Sequence, residues 1–406
     1  MSLIQENNQK PKENRKLQQK RNKCKSLEES FKYLNKTYVK MKSKEKKCNN
    51  NILYAVLQKF LTIMKNHNPL FCIMKPKLGY LGSYYDGLRV GQPTEYDINV
   101  ILYLPVNYDK IYLDATGTTH DCTNIFMPSE FRRLSKNPTT VKEGFQKTSI
   151  WCDCKYRFSV KKFRSWMQGV VDTAIEKLRL EKNKRLINVD NKRYIIAAKM
   201  SGPACTITIT PEGRDNDNNK VIDVDLVPTF SFELPKKPYG SNVLFHYLES
   251  INVKREYFVV PKPSQDEFSW RLSFPFQERY YIGNKNNLKS TAKLLKLLRD
   301  AQDFKQLASY YIKTIFLWEV QRQNDDFWKR KSLSYLVLHM LNVLRYCLAQ
   351  ENIKNFWCPE MNLIKGKLKS ETCQNWSNRL AVIINDIKQN GKNNPNIIIK
   401  YFTKKN

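Results

Sequence analysis

Two acids one residue apart, Glu95 and Asp97, open a strand-like run in the segment YLGSYYDGLRVGQPTEYDINVILYLP, residues 80 to 105. Side chains alternate faces along a strand, so Glu95 and Asp97 point one way while Tyr96 and Ile98 face a core. Two carboxylates on one face form half of a hard-cation site. A second acidic strand, VIDVDLVPTF, offers Asp223 or Asp225 as a third ligand if the two strands are neighbours. Three carboxylates can hold two Mg²⁺ ions about 4 Å apart, which bind a triphosphate, activate an attacking hydroxyl and stabilise the leaving pyrophosphate. Upstream, Gly82-Ser83 suits a tight turn whose backbone N–H groups and hydroxyl grip phosphate oxygens. Eleven residues separate Ser83 from Glu95. Acid-x-acid arises by chance at strand ends, but an acidic pair at the rim of a buried strand is costly unless metal or hydrogen bonds compensate it. The Gly-Ser turn and the second acidic strand favour metal-ion catalysis.

Other chemistries fall away. The four histidines, His67, His120, His246 and His339, stand beside no plausible nucleophile, and there is no G-x-S-x-G. Gly82 to Gly87 matches the glycine spacing of a P-loop, but Leu88 and Arg89 replace its Lys and Ser/Thr. His120-x-Cys122 and Cys152-x-Cys154 supply four soft ligands, but with a gap tighter than structural zinc sites use, so zinc is the minor reading.

The elements that must position these residues follow from periodicity. Residues 1–25 are rich in Lys, Asn, Gln and Glu and nearly devoid of large apolar side chains, which predicts a disordered basic tail. Ser26 and Glu29 make a capping box, and Leu27, Phe31, Leu34, Tyr38 and Met41 recur at helical spacing. At 100° per residue Lys32, Lys36, Lys40, Lys44 and Lys47 fall on the opposite face, as a nucleic-acid-binding ridge or simply a solvated one. A second helical stretch, ILYAVLQKFLTIMKNH, leads into the quoted segment. Strands and helices then alternate: YDINVILYLP, a helix around 162–180, RYIIAAKM, ACTITIT and VIDVDLVPTFSFEL. Beyond about residue 285 the pattern is helical throughout.

Seventy Lys and Arg against 38 Asp and Glu give a formal charge of +32 over 406 residues, which points first to a polyanion such as nucleic acid. The amino terminus lacks the apolar core of a signal peptide, and no run approaches the roughly 20 apolar residues of a bilayer span. Ten scattered cysteines suit reduced thiols in a large chain, and a cytoplasmic location with no membrane partner is expected.

The segment GSYYDGLRVGQPTEYDINV resembles the signature of the nucleotidyltransferases related to cyclic GMP-AMP synthase: Gly-Ser, eleven residues, Glu-x-Asp, then a third Asp on a later strand. The likeness continues in family order through VIDVDLVPTF, YFVVPKP, SWRLSFP, LASYYIKTIF and NFWCPEMNLI, covering roughly residues 50 to 364. It implies an α+β, bilobal nucleotidyltransferase fold. A mixed β-sheet lobe with flanking helices is joined there to a C-terminal helical-bundle lobe and a long N-terminal spine helix. The domains expected are the tail at 1–25, spine helix and nucleotidyltransferase core at 26–235, and helical lobe at 236–406.

The resemblance further implies a cytosolic sensor of innate immunity and antiviral defence that, on binding double-stranded nucleic acid, joins ATP and GTP into a cyclic dinucleotide. Carried over by position, Gly82 and Ser83 contact the triphosphate, and Glu95, Asp97 and Asp225 hold two Mg²⁺ or Mn²⁺ ions. Asp225 is preferred because VDL matches the family's Val-Asp, with Asp223 as runner-up. Arg271 and Ser273 read a guanine edge or phosphate, a task guanidinium suits. Glu278 assists base recognition, Lys296 and Ser309 hold phosphates, and Tyr310 offers a stacking ring, although core packing is its ordinary alternative.

One departure bears on the activator. Between WRLSF and AKLLKLL the vertebrate DNA sensor carries a zinc insertion, whereas PFQERYYIGNKNNLKST contains neither Cys nor His. Cyclic GMP-AMP synthase-like receptors of insects and other animals lack that insertion and include sensors of double-stranded RNA. An A-form duplex is recognised through phosphates and 2′-hydroxyls, which a basic helix face can do. Double-stranded RNA is therefore the expected activator and DNA the less favoured one. A catalytically silent nucleic-acid-binding member and a linear-product polymerase like oligoadenylate synthase are the competing readings. A dimer on nucleic acid, the linkage isomer and Mg²⁺ against Mn²⁺ stay open.

Overall fold

The structure, a computed structural model, describes residues 24–39, 43–91, 94–137, 151–201, 204–213, 221–249, 254–262, 266–285 and 287–404. Most of the expected basic tail, and Lys40 with it, lie outside the described residues, as does the side chain of Lys44. In chain order, α1 (Leu27–Leu34) and α2 (Ser43–His67) precede β1 (Lys77–Leu81), the one-turn α3 (Gly82–Tyr85) and β2 (Glu95–Leu102). Next come β3 (Tyr112–Asp114), β4 (Cys122–Phe126) and α4 (Val160–Glu176). The strands β5 (Arg179–Glu181), β6 (Lys184–Val189), β7 (Lys192–Ser201), β8 (Ala204–Pro211) and β9 (Ile222–Glu233) form a meander. After β10 (Glu256–Val260) and β11 (Trp270–Ser273) come α5 (Pro275–Ile282), α6 (Leu288–Ala301), α7 (Ser309–Arg322), α8 (Leu333–Ala349) and α9 (Ser370–Asn390). The chain divides into two compact units. One takes in Met1–Met41, Leu88–Gly91 and Tyr281–Asn406, the other Lys42–Gly87 and Gln92–Tyr280. The architecture is thus α+β, with a mixed sheet in one unit and packed helices in the other.

In the sheet unit the strands run in the order β3-β4-β11-β10-β9-β8-β7-β6-β5, and β2 joins β9 to β1. All the pairings are antiparallel except β2 with β9, which is parallel. Along β9 every second residue, Ile222, Val224, Leu226, Pro228 and Phe230, is buried. That face is covered by α4, whose Val160, Phe163, Met167, Val170, Val171 and Ala174 recur at three- and four-residue spacing. Ser159 caps α4, its hydroxyl accepting from the Lys162 N–H at 3.2 Å. Aromatic rings fill the seam: Phe163 lies 5.0 Å from Phe230, 5.5 Å from Trp270 and 5.2 Å from Trp151, centroid to centroid. With one face committed to this core, the alternate residues of β2, β8, β9 and β11 are delivered to the other.

The helical unit packs α6, α8 and α9 through Leu294, Leu295, Leu298, Leu336, Met340, Leu344, Leu380 and Ile384, all buried. Helix α1 belongs to it: Phe31 meets Phe402 edge-on at 5.4 Å, and Glu28 accepts the Ser334 N–H at 2.7 Å. The Ser26 hydroxyl caps α1 as expected, accepting from Glu29 N–H at 3.2 Å, while Glu29 itself takes the Lys25 N–H. A π-helical turn at Asn35–Val39 then alters the sequence reading. The wider turn advances the inward face by one residue, so Val39 is buried after Phe31 and Leu34, and Tyr38, expected in the apolar stripe, is 44% exposed. The uniform 100° step that set Lys40 and Lys44 beneath Lys36 does not hold through this turn.

Candidate active site

Parallel pairing of β2 with β9 puts Glu95 opposite Asp223 and Asp97 opposite Asp225. Glu95 and Asp97 are exposed and the two β9 acids half-buried, whereas Tyr96, Ile98, Val224 and Leu226 are buried. Paired residues share a face, so all four carboxylates stand on the face opposite the aromatic core. Strand β8 extends the rows with threonines: Thr206 pairs with Asp225 and Thr208 with Asp223. Each hydroxyl donates to its neighbour, Thr206 Oγ1 to Asp225 Oδ1 at 2.5 Å and Thr208 Oγ1 to Asp223 Oδ1 at 2.8 Å. The alternating threonines of ACTITIT carried that signal in period two, but only the neighbouring strand gives it meaning.

The Gly-Ser turn sits directly on this row. Leu81 pairs with Asp97 across β1 and β2, and Gly82 follows with a φ of +79°. A Cβ at Gly82 would lie 2.0 Å from Asp97 Oδ2, so only glycine allows the backbone to rest on that carboxylate. Ser83 is next, half-buried. Beneath the turn, the Tyr84 ring packs 4.7 Å from Tyr96 and its hydroxyl donates to Asn50 Oδ1 of α2 at 2.6 Å. Arg279 of α5 donates to buried Asp86 Oδ1 at 3.1 Å and to the Tyr80 carbonyl at 3.0 Å. This ion pair joins residues 193 apart and had no local signal.

Arg271 and Ser273 reach the same face, through pairs of Val260 with Arg271, Phe258 with Ser273 and Phe258 with Ser231. Glu278 is buried on α5. Lys296, Ser309 and Tyr310 belong to the helical unit. There the Lys296 ammonium is buried and donates to the Leu88 carbonyl at 3.0 Å. Burial first, then the charges of Arg299, Lys313 and Arg89, lower its pKa to about 8. Arg299 donates to Ser309 Oγ at 2.9 Å, and Tyr310 is 37% exposed. Lys32, paired with Glu28 at 3.1 Å, and Lys36 are exposed on the helical unit, and Lys47 is exposed on the sheet unit.

Buried Lys296 makes stability depend on pH. Its folded pKa is depressed below the unfolded value of about 10.4, so its charge opposes folding below pH 8, and that opposition lifts as pH rises from 8 toward 10.4. We expect Lys296→Met to raise the urea midpoint at pH 7, by at most about 3 kcal/mol of stability at 1.36 kcal/mol per unit, with the gap from wild type closing by pH 10. Parallel midpoint curves for the two proteins would refute this.

The all-oxygen donor set of Glu95, Asp97 and Asp225 fits a hard divalent cation. Neighbouring strands stand about 4.8 Å apart, so the register already supplies adjacency. Among the described residues no three His, Cys, Asp or Glu side chains yet converge to hold an ion, the His120, Cys122, Cys152 and Cys154 set included. Cys122 is buried, its thiol pushed up to about 12 by burial. Side-chain torsions, rather than strand positions, are what cation binding would have to change.

Comparison with known proteins places these residues in a family context. Residues 84–284 match the Mab-21 protein nucleotidyltransferase domain and residues 287–382 the Mab-21 protein HhH/H2TH-like domain. The chain is 32% identical over 395 residues to a cyclic GMP-AMP synthase-like receptor of Aethina tumida, covering 94% of this chain and 92% of that one. It is likewise 32% identical over 382 residues to one of Tribolium castaneum, covering 92% and 90%. A Trichogramma pretiosum receptor of the same name is 32% identical over 363 residues, covering 87% and 71%. Among the described residues no helix is long and apolar enough to cross a membrane.

Proposed function

The chain belongs to the Mab-21 nucleotidyltransferase family, among the cyclic GMP-AMP synthase-like receptors, and from that premise we propose that it joins ATP and GTP into cyclic GMP-AMP when double-stranded RNA binds it. The observation that carries this reading is the double acidic register of β2 and β9 beneath Gly82. Glu95, Asp97 and Asp225 would hold Mg²⁺ or Mn²⁺, which lowers the pKa of an attacking hydroxyl and stabilises departing pyrophosphate. Thr206 fixes one oxygen of Asp225 and leaves the other to the site. Gly82 and Ser83 grip the triphosphate. Arg271 and Ser273 read a guanine edge or phosphate, Glu278 supports base recognition, Lys296 and Ser309 hold phosphates, and Tyr310 stacks on a base. In each of two successive transfers a sugar hydroxyl of one nucleotide attacks the α-phosphorus of the other, forming a phosphodiester as pyrophosphate leaves.

Duplex RNA lies along the basic tail and Lys32, Lys36, Lys40, Lys44 and Lys47, and the protein acts in the cytoplasm as an innate immune sensor. The test is incubation with ATP and GTP beside duplex RNA, duplex DNA or neither, with products separated by chromatography. A mixed cyclic product with RNA alone is the expected result. Product with DNA alone, a linear product from one nucleotide, or no product in any arm overturns it. Reversing the charge of Lys36 and Lys47 should weaken RNA binding and flatten its salt dependence, since each phosphate contact adds to the slope. Unchanged binding would leave those lysines a solvated face.

A further inference from the structure

The carboxylate face carries polar side chains that the reading above leaves unused, Asn99 among them. Asn99 follows Glu95 and Asp97 at the next inward step of β2, pairing with Gly79 of β1 and Val227 of β9. It is only 8% exposed, and among the described residues its side-chain amide has no hydrogen-bond partner. The polar atoms of that amide reach solvent, so a ligand on this face meets them directly and takes over the hydrogen bonds they otherwise make with water. Its neighbours supply none. Gly79 has no side chain, Val227 is apolar, and the next residue on the face, Ile101, joins Leu81 and Phe258 in a small apolar cluster with Tyr103 and Phe276.

We propose that Asn99 is a specificity-determining residue that hydrogen-bonds the edge of an adenine base in a bound nucleotide. The inference rests on the nucleotidyltransfer reading above. Asn99 lies two residues, about 7 Å, along the strand from Asp97, the scale separating a sugar hydroxyl from the edge of its own base. A nucleotide whose reacting end meets the carboxylates therefore lays its base near this amide. A side-chain amide offers a donor and an acceptor together, which complements the N6 amino group and ring nitrogen of adenine. Guanine presents two acceptors to a guanidinium, and Arg271 reaches this face from β11. A pocket that admits both purines in turn needs a reader for each, and Asn99 is the one suited to adenine.

The test uses the full chain, with Asn99→Ala and the nearly isosteric Asn99→Leu, each confirmed folded by an unshifted cooperative melt. The KM for ATP should rise roughly ten- to hundredfold, while kcat and the KM for GTP stay within about threefold. An unchanged KM for ATP, or equal increases for both nucleotides, overturns the assignment. Thermal stabilisation by ATP and by GTP, measured separately, keeps the two proposals apart. If the wild type binds ATP but makes no product with either duplex, the synthase reading fails while Asn99 is still judged by loss of ATP stabilisation in the variants. A wild type that ATP does not stabilise, or variants that ATP stabilises as well as wild type, refute the role of Asn99.

Discussion

Replacing Glu95 and Asp97 together with alanine is expected to abolish the proposed dinucleotide synthesis, by on the order of a thousandfold or more, while leaving the fold in place. The size follows from the several kcal/mol that a divalent cation contributes to the transition state, each 1.36 kcal/mol being a factor of ten in rate. The intact fold follows from position. Both side chains are exposed, and the strand's grip on the core comes from Tyr96, Ile98, Val100 and Leu102, which the change does not touch. Losing the interactions those two carboxylates make costs about 1 kcal/mol each, which leaves a cooperative melt. The measurement pairs product chromatography with a thermal melt. Wild-type yield from a folded double variant would remove the carboxylates from the chemistry.

Gly82→Ala is the second large effect, and it separates space from backbone strain. At φ +79° an alanine costs about 1–2 kcal/mol in conformation alone. Its methyl would also sit 2.0 Å from Asp97 Oδ2 and 2.7 Å from Asp97 Cβ and Cγ, so either the turn or the carboxylate must move. Positioning errors of about 1 Å at a reacting centre cost roughly a hundredfold in rate, and at least that loss is expected here. Gly117 provides the control in the same unit: its φ is +71°, but nothing lies within 4 Å of where its Cβ would be. Gly117→Ala should lower the melting temperature by a similar strain and leave synthesis intact. Equal activities for the two variants would show that the turn does not seat the carboxylate.

Much of this face was legible in the residues. Alternation in EYDINVIL and VIDVDLVPTF gave both strands and the direction of the acids, because one buried face enforces period two. The register of those strands was not legible. Adjacency between residues 95 and 223 depends on the whole intervening meander, and sequence spacing holds no record of it. The same limit hid the Thr206 and Thr208 hydroxyls and the Arg279–Asp86 pair, whose partners are brought together only by tertiary packing. The exposed Tyr38 has a different cause. A 3.6-residue period was carried through a segment whose turn is wider, and a π-helical turn leaves no mark in composition.

The parallel junction of β2 with β9 also has a consequence for how the molecule comes into being. Its partners are 223 − 95 = 128 positions apart, so this contact closes a very long loop and belongs among the slowest native contacts to form. A growing polypeptide on the ribosome carries the Gly-Ser turn and the first two acids long before their counterparts are translated. Until β9 emerges and docks, the two acidic rows stay apart, and on the proposed reading a chain cut short before residue 222 is expected to make no product.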